Sequence, residues 1–373
     1  MFHKSGHIKV LSTLLLCAFF MQACKDKNKG KVNPGDSYDK SGMLNNIGSQ
    51  LAMPAYANLK LSIDTLQTAA TAFTTSPSQQ GLLTLQAAFT ATGIRYQWCS
   101  TFELGPAESE ILRASFNTFP CDTAQINSNI SSGSYDLSSA ANIDAKGLPA
   151  LDYLLYKNNA LNLFTSSPDA TNAKKYLNDI ISEMANKAGR VNNAWAATSG
   201  NYIKTFSENT GSDAGGSIGQ LVNQLNYDFE LLKNIKIAIP LGKRTLGTPL
   251  PDKTEAYYSG LSLTFVTEQL NSIENIYLGR DKAGKDGLGL DDYLDHIGAT
   301  NASGSLNSAI KARFAAIKSK LNALQGPLSS AVVNNNAAVD AIYADMQQMV
   351  VLLKVDMPSA LGVLITYQDN DGD

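Results

Sequence analysis

The sequence predicts an all-α protein, because three features of the chain agree. Apolar residues recur every three or four positions over long segments, alternating strand-like runs are scarce, and Gly- or Pro-containing stretches separate the periodic segments. The chain has 373 residues, which exceeds the usual size of a single hydrophobic core and favours two domains. With about four helical segments in each half, we expect two domains that resemble four-helix bundles.

The first half, residues 38–197, contains the segments that should form the first bundle. Pro54 lies inside the first of them, where it should kink or split the helix. Residues 130–146 are rich in Ser, Gly, Asn and Asp and predict a loop, after which Pro149 opens the next helix. The predicted helical segments of this half are 41–75, 79–104, one that begins at Pro149, and 169–197.

A stretch rich in Gly, Ser and Asn, residues 198–217, is the predicted linker between the halves. Residues 218–373 should then form the second bundle. No internal repeat at a fixed period is visible in the chain. The predicted helices of this half are 218–236, 254–277, 303–325 and 335–356.

The first residues predict an exported lipoprotein. Lys4 and Lys9 precede an apolar run that is too short to span a bilayer, as in a signal peptide covering residues 1–23. Cys24 follows and completes a lipoprotein processing site, although an ordinary signal peptide with a chance cysteine is the alternative. Residues 24–37 are polar and predict a flexible tether. The expected location is the cell envelope, with the anchor in the outer membrane and the body on its periplasmic or surface face.

Charge and cysteine content exclude several classes of protein. The net charge is −3 and no Lys/Arg cluster forms a basic stripe, which argues against a nucleic-acid partner. Cys17 leaves with the signal peptide, so Cys99 and Cys121 remain as an even pair in an oxidising compartment. Either a disulfide between them or two separate buried thiols fits this pattern. The chain has no C-x-x-C spacing for a zinc knuckle or a thioredoxin-type motif.

Catalytic and metal-binding motifs are scarce. His296 is the one histidine outside the signal segment, and its polar surroundings predict a surface position near a helix end. The absence of H-E-x-x-H excludes a two-histidine zinc protease site. Residues 369–373 resemble the start of a calcium loop, but the chain stops before the required Glu, so a solvated acidic tail is expected. Residues 281–292 also fail as a calcium loop, because Ala283 and Lys285 occupy ligand positions. We therefore predict no catalytic residue, no metal site and no cofactor from these residues.

Asp152 is the most informative single residue. It is the only charge in the apolar run Gly147–Tyr156, and apolar residues flank it on most faces of the predicted helix. A buried carboxylate must be paired, hydrogen-bonded or protonated. Such acids cluster at functional sites, although structural ion pairs produce the same pattern.

Several segments resemble one known family. Gly147–Tyr156 (GLPALDYLLY) resembles the G-x-H-x-x-E segment of imelysin-like proteins. Other segments resemble the family in the same order along the chain, and the last two resemble its Bacteroides-type branch. These segments are Trp98–Pro106, Phe119-Pro120, Lys233–Gly242, Glu255–Ser262 and Leu361–Asp373.

The resemblance implies two similar four-helix bundles, a site between them and a role in iron uptake or iron-regulated envelope physiology. Some members are described as metallopeptidases, but Pro149 replaces the motif histidine here and Asp152 replaces the motif glutamate. Because proline has no ligand atom, we expect a non-catalytic binding protein for a small molecule, a peptide, or iron or another metal complex. A metallopeptidase with a remodelled carboxylate site and a purely structural envelope lipoprotein are the alternatives.

The predicted ligand site lies between the two halves. Glu255, Ser259 and Ser262 have the spacing of one polar stripe on a helix, and Lys236 could supply the counter-charge for Asp152. Gly242 could allow close approach of backbone to a ligand. A buried hydrogen-bond network that only fixes how the bundles pack is the alternative. The candidate ligand-binding residues are Gly147, Pro149, Asp152, Lys236, Gly242, Glu255, Tyr258 and Ser259.

Overall fold

The structure is a computed structural model that describes residues 37–367. The predicted signal peptide, the lipidation residue Cys24 and the acidic tail 369–373 lie outside the described residues. Within the described part the regular structure is helical except for one short hairpin, in which β1 (Thr300–Asn301) pairs antiparallel with β2 (Gly304–Ser305). The predicted all-α class is confirmed.

The helices of the first half agree with the predicted segments, except that the helix predicted over 79–104 ends at Gln97 and additional short helices follow it. Ser78 caps the second predicted segment, which begins at Gln79, by accepting a hydrogen bond from Gly81 N–H at 3.1 Å. The helices are α1 (Lys40–Asn46), α2 (Met53–Thr75), α3 (Gln79–Gln97), α4 (Pro106–Ser109), α5 (Leu112–Asn117), α6 (Thr123–Ser132), α7 (Gly147–Tyr156), α8 (Ala160–Thr165), α9 (Ala170–Trp195) and α10 (Tyr202–Glu208). Short 3-10 turns lie at Ser100–Phe102 and Ala140–Asn142.

The helices of the second half also follow the predicted periods, except that residues 254–261 are not helical and two short helices, Leu290–His296 and Leu328–Asn334, lie outside the predicted segments. A 3-10 turn at Pro251–Lys253 and an irregular turn replace the start of the predicted helix 254–277 there. The helices are α11 (Ser217–Leu231), α12 (Ile239–Leu241), α13 (Ser262–Tyr277), α14 (Leu290–His296), α15 (Leu306–Ala323), α16 (Leu328–Asn334), α17 (Asn336–Val350) and α18 (Met357–Leu361).

Three α-helices widen into a π-helical segment just before a proline. The prolines are Pro54, Pro240 and Pro358, each at the first turn of the α-helix that follows. Proline lacks an N–H and its ring collides with the carbonyl one turn earlier, so a wider turn accommodates it without ending the helix. The predicted split at Pro54 does not occur, and the predicted kink stays a prediction. The π-helical segments are Ile47–Ala52, Leu232–Ala238 and Val351–Asp356.

The long helices pack in two groups that share one hydrophobic core. In the first half α2 packs against α3 and α9, and in the second half α15 packs against α17 and α13. The two groups meet where α13 crosses α3. Gly93 makes this crossing close, because a Cβ there would lie 2.3 Å from the ring of Phe265.

The described residues from Tyr38 onward form one compact unit. Residues 198–217 include α10, which buries Ile203 and Phe206 in the shared core. The division into two domains at a linker stays a prediction. Among residues 37–367, no helix combines the length and the apolar character needed to cross a membrane.

Candidate functional site

Asp152 occupies the middle of α7, with 2% of its surface exposed. Its two carboxylate oxygens accept hydrogen bonds from the backbone N–H groups of Tyr258 at 2.9 Å and Ser259 at 3.0 Å. Burial raises the pKa of Asp152 to about 6, and the hydrogen bonds from these two residues oppose that rise. The expected counter-charge from Lys236 is wrong, because Lys236 pairs with Glu255 instead.

The segment that carries Tyr258 and Ser259 is a turn, so the predicted polar stripe of Glu255, Ser259 and Ser262 on one helix is wrong. Ala256 has φ +48° and Gly260 has φ +72°, and these left-handed conformations prevent a helix. The helix α13 begins only at Ser262. The Asp152 carboxylate satisfies two N–H groups that the turn leaves without a helical partner.

Glu255 and Lys236 form a buried ion pair in which Glu255 Oε2 lies 2.7 Å from Lys236 Nζ. Glu255 Oε1 also accepts hydrogen bonds from Gln97 Nε2 at 3.1 Å and Asn117 Nδ2 at 2.6 Å. Gln97 completes the network, since its Oε1 accepts a hydrogen bond from Lys236 Nζ at 2.8 Å. Through Gln97 and Asn117, the network joins α3 and α5 to the π-helical segment Leu232–Ala238 and to the turn at residues 254–261, which carries Glu255.

A cavity of about 390 Å³ opens beside this network, and we call it the main cavity. Gln97, Asn117 and Lys236 form part of its wall. Its volume falls in the range of small-molecule pockets. The apolar part of the wall consists of Tyr96, Ile111, Phe119, Tyr227, Leu231 and Ile235.

A second group of charges lines the main cavity around Asp228. Asp228 Oδ2 accepts hydrogen bonds from the hydroxyls of Ser100 at 2.9 Å and Thr101 at 2.7 Å, and its Oδ1 lies 3.8 Å from Arg113. Arg113 also donates to Ser100 O at 2.8 Å and lies over the ring of Tyr227 at 5.0 Å. Burial lowers the pKa of Arg113, but the charges of Asp228 and the neighbouring Glu103 outweigh it and raise that pKa above its ordinary value.

Two buried polar atoms at the main cavity have no hydrogen-bond partner within the described part of the chain. They are Gln269 Oε1 and Arg113 Nε. Gln269 is 2% exposed, and its amide nitrogen makes only a long contact of 3.4 Å to Asp228 O. Buried polar atoms are normally satisfied, so these two indicate places for a bound group.

The two candidate glycines are explained by backbone geometry. Gly147 has φ +68°, and a Cβ there would lie 2.4 Å from Phe116 O. Gly242 has φ +88° at the end of α12, and a Cβ there would lie 2.4 Å from Thr248 O. The backbone that approaches Gly242 closely is therefore that of the following loop rather than a ligand.

The structure divides the candidate residues between two places. Pro149, Asp152 and Tyr258 line a small pocket of about 40 Å³, close to the volume of one water molecule. Lys236 lines the main cavity, and Glu255 contacts two residues of its wall. The walls of these two spaces do not include Gly147, Gly242 or Ser259.

Sequence reasoning missed the residues that shape the main cavity. Asp228 had only a weak signal, because Tyr227 and Phe229 flank it but Asn226 and Glu230 lie two positions away on either side. Gln97, Asn117 and Gln269 had none, since an uncharged amide in a helical period is compatible with a surface or a core.

Cys99 and Cys121 are free thiols, so the candidate disulfide between them is wrong and the alternative of two separate thiols holds. Cys99 is buried in the hydrophobic core after α3, whereas Cys121 lines the small pocket beside Asp152. Burial raises the pKa of both thiols, that of Cys121 to about 12. Each packs as a small apolar side chain.

His296 and the segment 281–292 make contacts that stabilise the fold. His296 ends α14 and is exposed, with its ring 5.5 Å from that of Tyr38. Asp281 Oδ1 accepts hydrogen bonds from the N–H groups of Ala283 and Lys285, which closes a turn. Over residues 37–367, no group of three or more His, Cys, Asp or Glu side chains is arranged to hold a metal ion.

Comparisons with known proteins agree with this fold. The family model for imelysin (peptidase M75) matches residues 52–355. The structure is similar to that of a candidate iron-regulated protein A precursor from Parabacteroides distasonis, with TM-score 0.72 and 18% identity over 89% of this chain and 97% of the other. It is also similar to an imelysin-like protein from Psychrobacter arcticum, with TM-score 0.67 and 17% identity over 88% of this chain and 97% of the other. No curated protein matches the chain in sequence.

Proposed function

This chain belongs to the imelysin family, and from that premise we propose that it is a non-catalytic, lipid-anchored envelope protein that binds a small ligand in the main cavity. The single observation that carries the binding role is the wall of that cavity. It presents two unpartnered buried polar atoms, Gln269 Oε1 and Arg113 Nε, opposite an aromatic and aliphatic surface. A ligand with an apolar body and a polar end that both accepts and donates hydrogen bonds matches this arrangement.

The proposed ligand is an organic molecule or a metal complex rather than a bare cation. Arg113 and Lys236 bring two positive charges to the wall, which balance the carboxylates of Glu103 and Asp228 there, so the wall has no net negative charge to attract a free metal ion. The carboxylates of Asp228 and Glu255 already accept hydrogen bonds or ion pairs from protein groups. The name of the Parabacteroides distasonis relative supports a link to iron, so we propose that the ligand is used when iron is scarce.

The absence of catalysis is proposed from the state of the motif residues. Pro149 offers no side-chain ligand atom, and both oxygens of Asp152 accept backbone hydrogen bonds. Hydrogen bonds from the turn fix this carboxylate in place, so we assign it to holding the turn rather than to general base catalysis. Asp152 and Pro149 therefore support the wall beside the cavity in this proposal.

A filled cavity tests the binding role. Ala114→Phe places a ring in the main cavity, and the control Ala315→Phe places the same ring on the exposed face of α15. In a deletion strain grown with an iron chelator, we expect wild type and Ala315→Phe to restore growth and Ala114→Phe to fail at equal protein level. Equal rescue by all three would refute a ligand in this cavity. A growth defect that is independent of iron would refute the iron link.

The proposed anchor is tested separately. Cys24→Ala should move the protein from the membrane fraction to the soluble envelope fraction, because the acyl chains hold the mature protein on the bilayer. Mass spectrometry of the wild-type N-terminus from the native host should show an acylated cysteine. An unmodified N-terminus would contradict the anchor.

A further inference from the structure

A second cavity of about 230 Å³ lies on another part of α3, and we call it the second cavity. Its deep part is apolar and consists of Leu51, Phe102 and Ile276, all of them buried. Arg95 and Trp98 form one side, and Lys282 lies at the exposed rim. It shares no wall residue with the main cavity.

Two cations of the second cavity make no direct ion pair within residues 37–367, although the charge of Glu268 acts on Lys282. Among residues 37–367, the Arg95 side chain makes no ion pair or hydrogen bond, and the polar contact of Lys282 is with the Trp98 ring, whose centroid lies 4.4 Å from its Nζ. Burial and the nearby charge of Arg95 lower the pKa of Lys282. These charges are close enough to repel, which a bound anion would relieve.

The nearby acids, Glu268 and Asp281, accept hydrogen bonds from neutral groups instead of pairing directly with Arg95 or Lys282. Glu268 Oε2 accepts a hydrogen bond from Trp98 Nε1 at 2.6 Å, which holds the indole in place. Asp281, which also lines the cavity, uses its Oδ1 to accept two backbone N–H groups of its own turn. The second cavity therefore combines an apolar floor with a net positive rim.

Both cavities are lined by a π-helical segment. Gln50 and Leu51 belong to Ile47–Ala52, and Ile235 and Lys236 belong to Leu232–Ala238. Such widened turns are frequent at functional sites. The π-helical lining therefore supports a functional role for the second cavity as well as for the main cavity.

We propose that the second cavity is a binding site for an amphipathic organic anion, in which Arg95 and Lys282 hold a carboxylate or sulfonate and the apolar floor holds a planar aromatic body. The charge-assisted hydrogen bonds give selectivity for the anion, and burial of the ring gives most of the affinity. The site is separate from the main cavity and does not depend on the function proposed for it.

The probe for this site is anilinonaphthalene sulfonate, and uncharged anilinonaphthalene is its neutral counterpart. Trp98 lies in the wall of the second cavity, so a probe bound there should quench its fluorescence by energy transfer, and the cavity variants assign this signal to the site. We expect saturable binding by the wild-type protein. The double variant Arg95→Gln/Lys282→Gln should weaken it by about tenfold or more, which corresponds to about 1.4 kcal/mol.

Three further variants make the result specific. Lys285→Gln removes a charge from the same exposed loop without touching the wall, and it should leave the affinity unchanged. Ala55→Phe should block the cavity, and Ala114→Phe, which fills the main cavity, should leave the Arg95-dependent signal intact. Equal affinity for the neutral counterpart, or unchanged affinity of the double variant, would overturn the proposal. Loss of the signal in Ala114→Phe alone would assign the probe to the main cavity and would also overturn it.

Discussion

Two buried carboxylates, Glu255 and Asp152, connect the same turn to the rest of the molecule in different ways. Glu255 belongs to the turn and pairs with the ammonium group of Lys236, supported by Gln97 and Asn117. Asp152 reaches the turn from α7 and is held by hydrogen bonds from Tyr258 and Ser259 rather than by a cation. Both are 2% exposed, so the difference lies in their partners rather than in their burial.

The comparison shows how the kind of partner decides what a buried acid does. A cation compensates the charge of a carboxylate directly, so its loss leaves an isolated buried charge. Two N–H dipoles compensate it only partly, so the carboxylate retains a preference for its neutral form, in agreement with the raised pKa of Asp152. Removal of the partner of Glu255 should therefore lower the free energy of unfolding, whereas Asp152 should make that free energy depend on pH.

The largest expected effect is that of Lys236→Met. The variant leaves Glu255 buried without its cation, and we expect the free energy of unfolding to fall by about 3–5 kcal/mol. The matched control is Lys60→Met, which breaks the exposed pair with Asp64 and should cost about 0–1 kcal/mol. Urea unfolding at neutral pH measures both. A loss below about 1 kcal/mol for Lys236→Met would show that the two carboxylates do not differ as described.

The next effect is a pH dependence that Asp152 introduces. Because burial raises the pKa of Asp152 from 3.8 to about 6, the folded protein keeps a proton there that the unfolded chain releases. The Asp152 contribution to the free energy of unfolding therefore falls by roughly 3 kcal/mol as the pH rises through this window, and it is constant above it.

Asp152→Asn removes this titration, and the difference between wild type and variant over pH 4 to 7 isolates it. We expect the wild-type protein to lose stability relative to the variant as the pH rises. Asp64→Asn, which removes a carboxylate from an exposed position, should keep the wild-type profile. If the free energy of unfolding of wild type and Asp152→Asn changed with pH in parallel, the charge of Asp152 would not be only partly compensated.

A smaller effect tests the backbone that positions Asp152. Gly147→Ala must adopt φ +68° with its Cβ 2.4 Å from Phe116 O, and we expect a loss of about 2 kcal/mol. Gly189→Ala in α9 is the matched control, because a Cβ there meets nothing within 4 Å. It should stabilise the protein by about 0.5–1 kcal/mol. Thermal unfolding of both variants shows whether each one gains or loses stability. An unchanged stability of Gly147→Ala would refute the requirement for glycine at this position.

The smallest expected effect concerns the two thiols, of which Cys121 lies beside Asp152. Because Cys99 and Cys121 are free, a reducing agent should leave the free energy of unfolding unchanged. Thiol titration of the unfolded, unreduced protein without residues 1–23 and with Cys24→Ala should find two reactive groups. If the free energy of unfolding depended on the reductant, or if no thiol reacted, a disulfide between Cys99 and Cys121 would have to be accepted.

Much of the fold could be predicted from the sequence, because helical periods are local. Tyr176, Ile180 and Val191 mark α9 on their own, and its observed bounds, Ala170–Trp195, lie close to the predicted 169–197. The segment 254–261 misled the prediction, because its composition is compatible with a helix and Ala256 gives no warning of its left-handed conformation.

The sequence by itself determined the all-α class, most helix positions, the family resemblance and the burial of Asp152, since these follow from residue type and short-range spacing. Only the tertiary structure decided which partner each charge takes. Lys236 pairs with Glu255 rather than with Asp152, and Gln97 from the distant α3 completes that pair. The physical reason is that a hydrogen bond or ion pair depends on distances of about 3 Å between segments far apart in sequence, which no local pattern specifies.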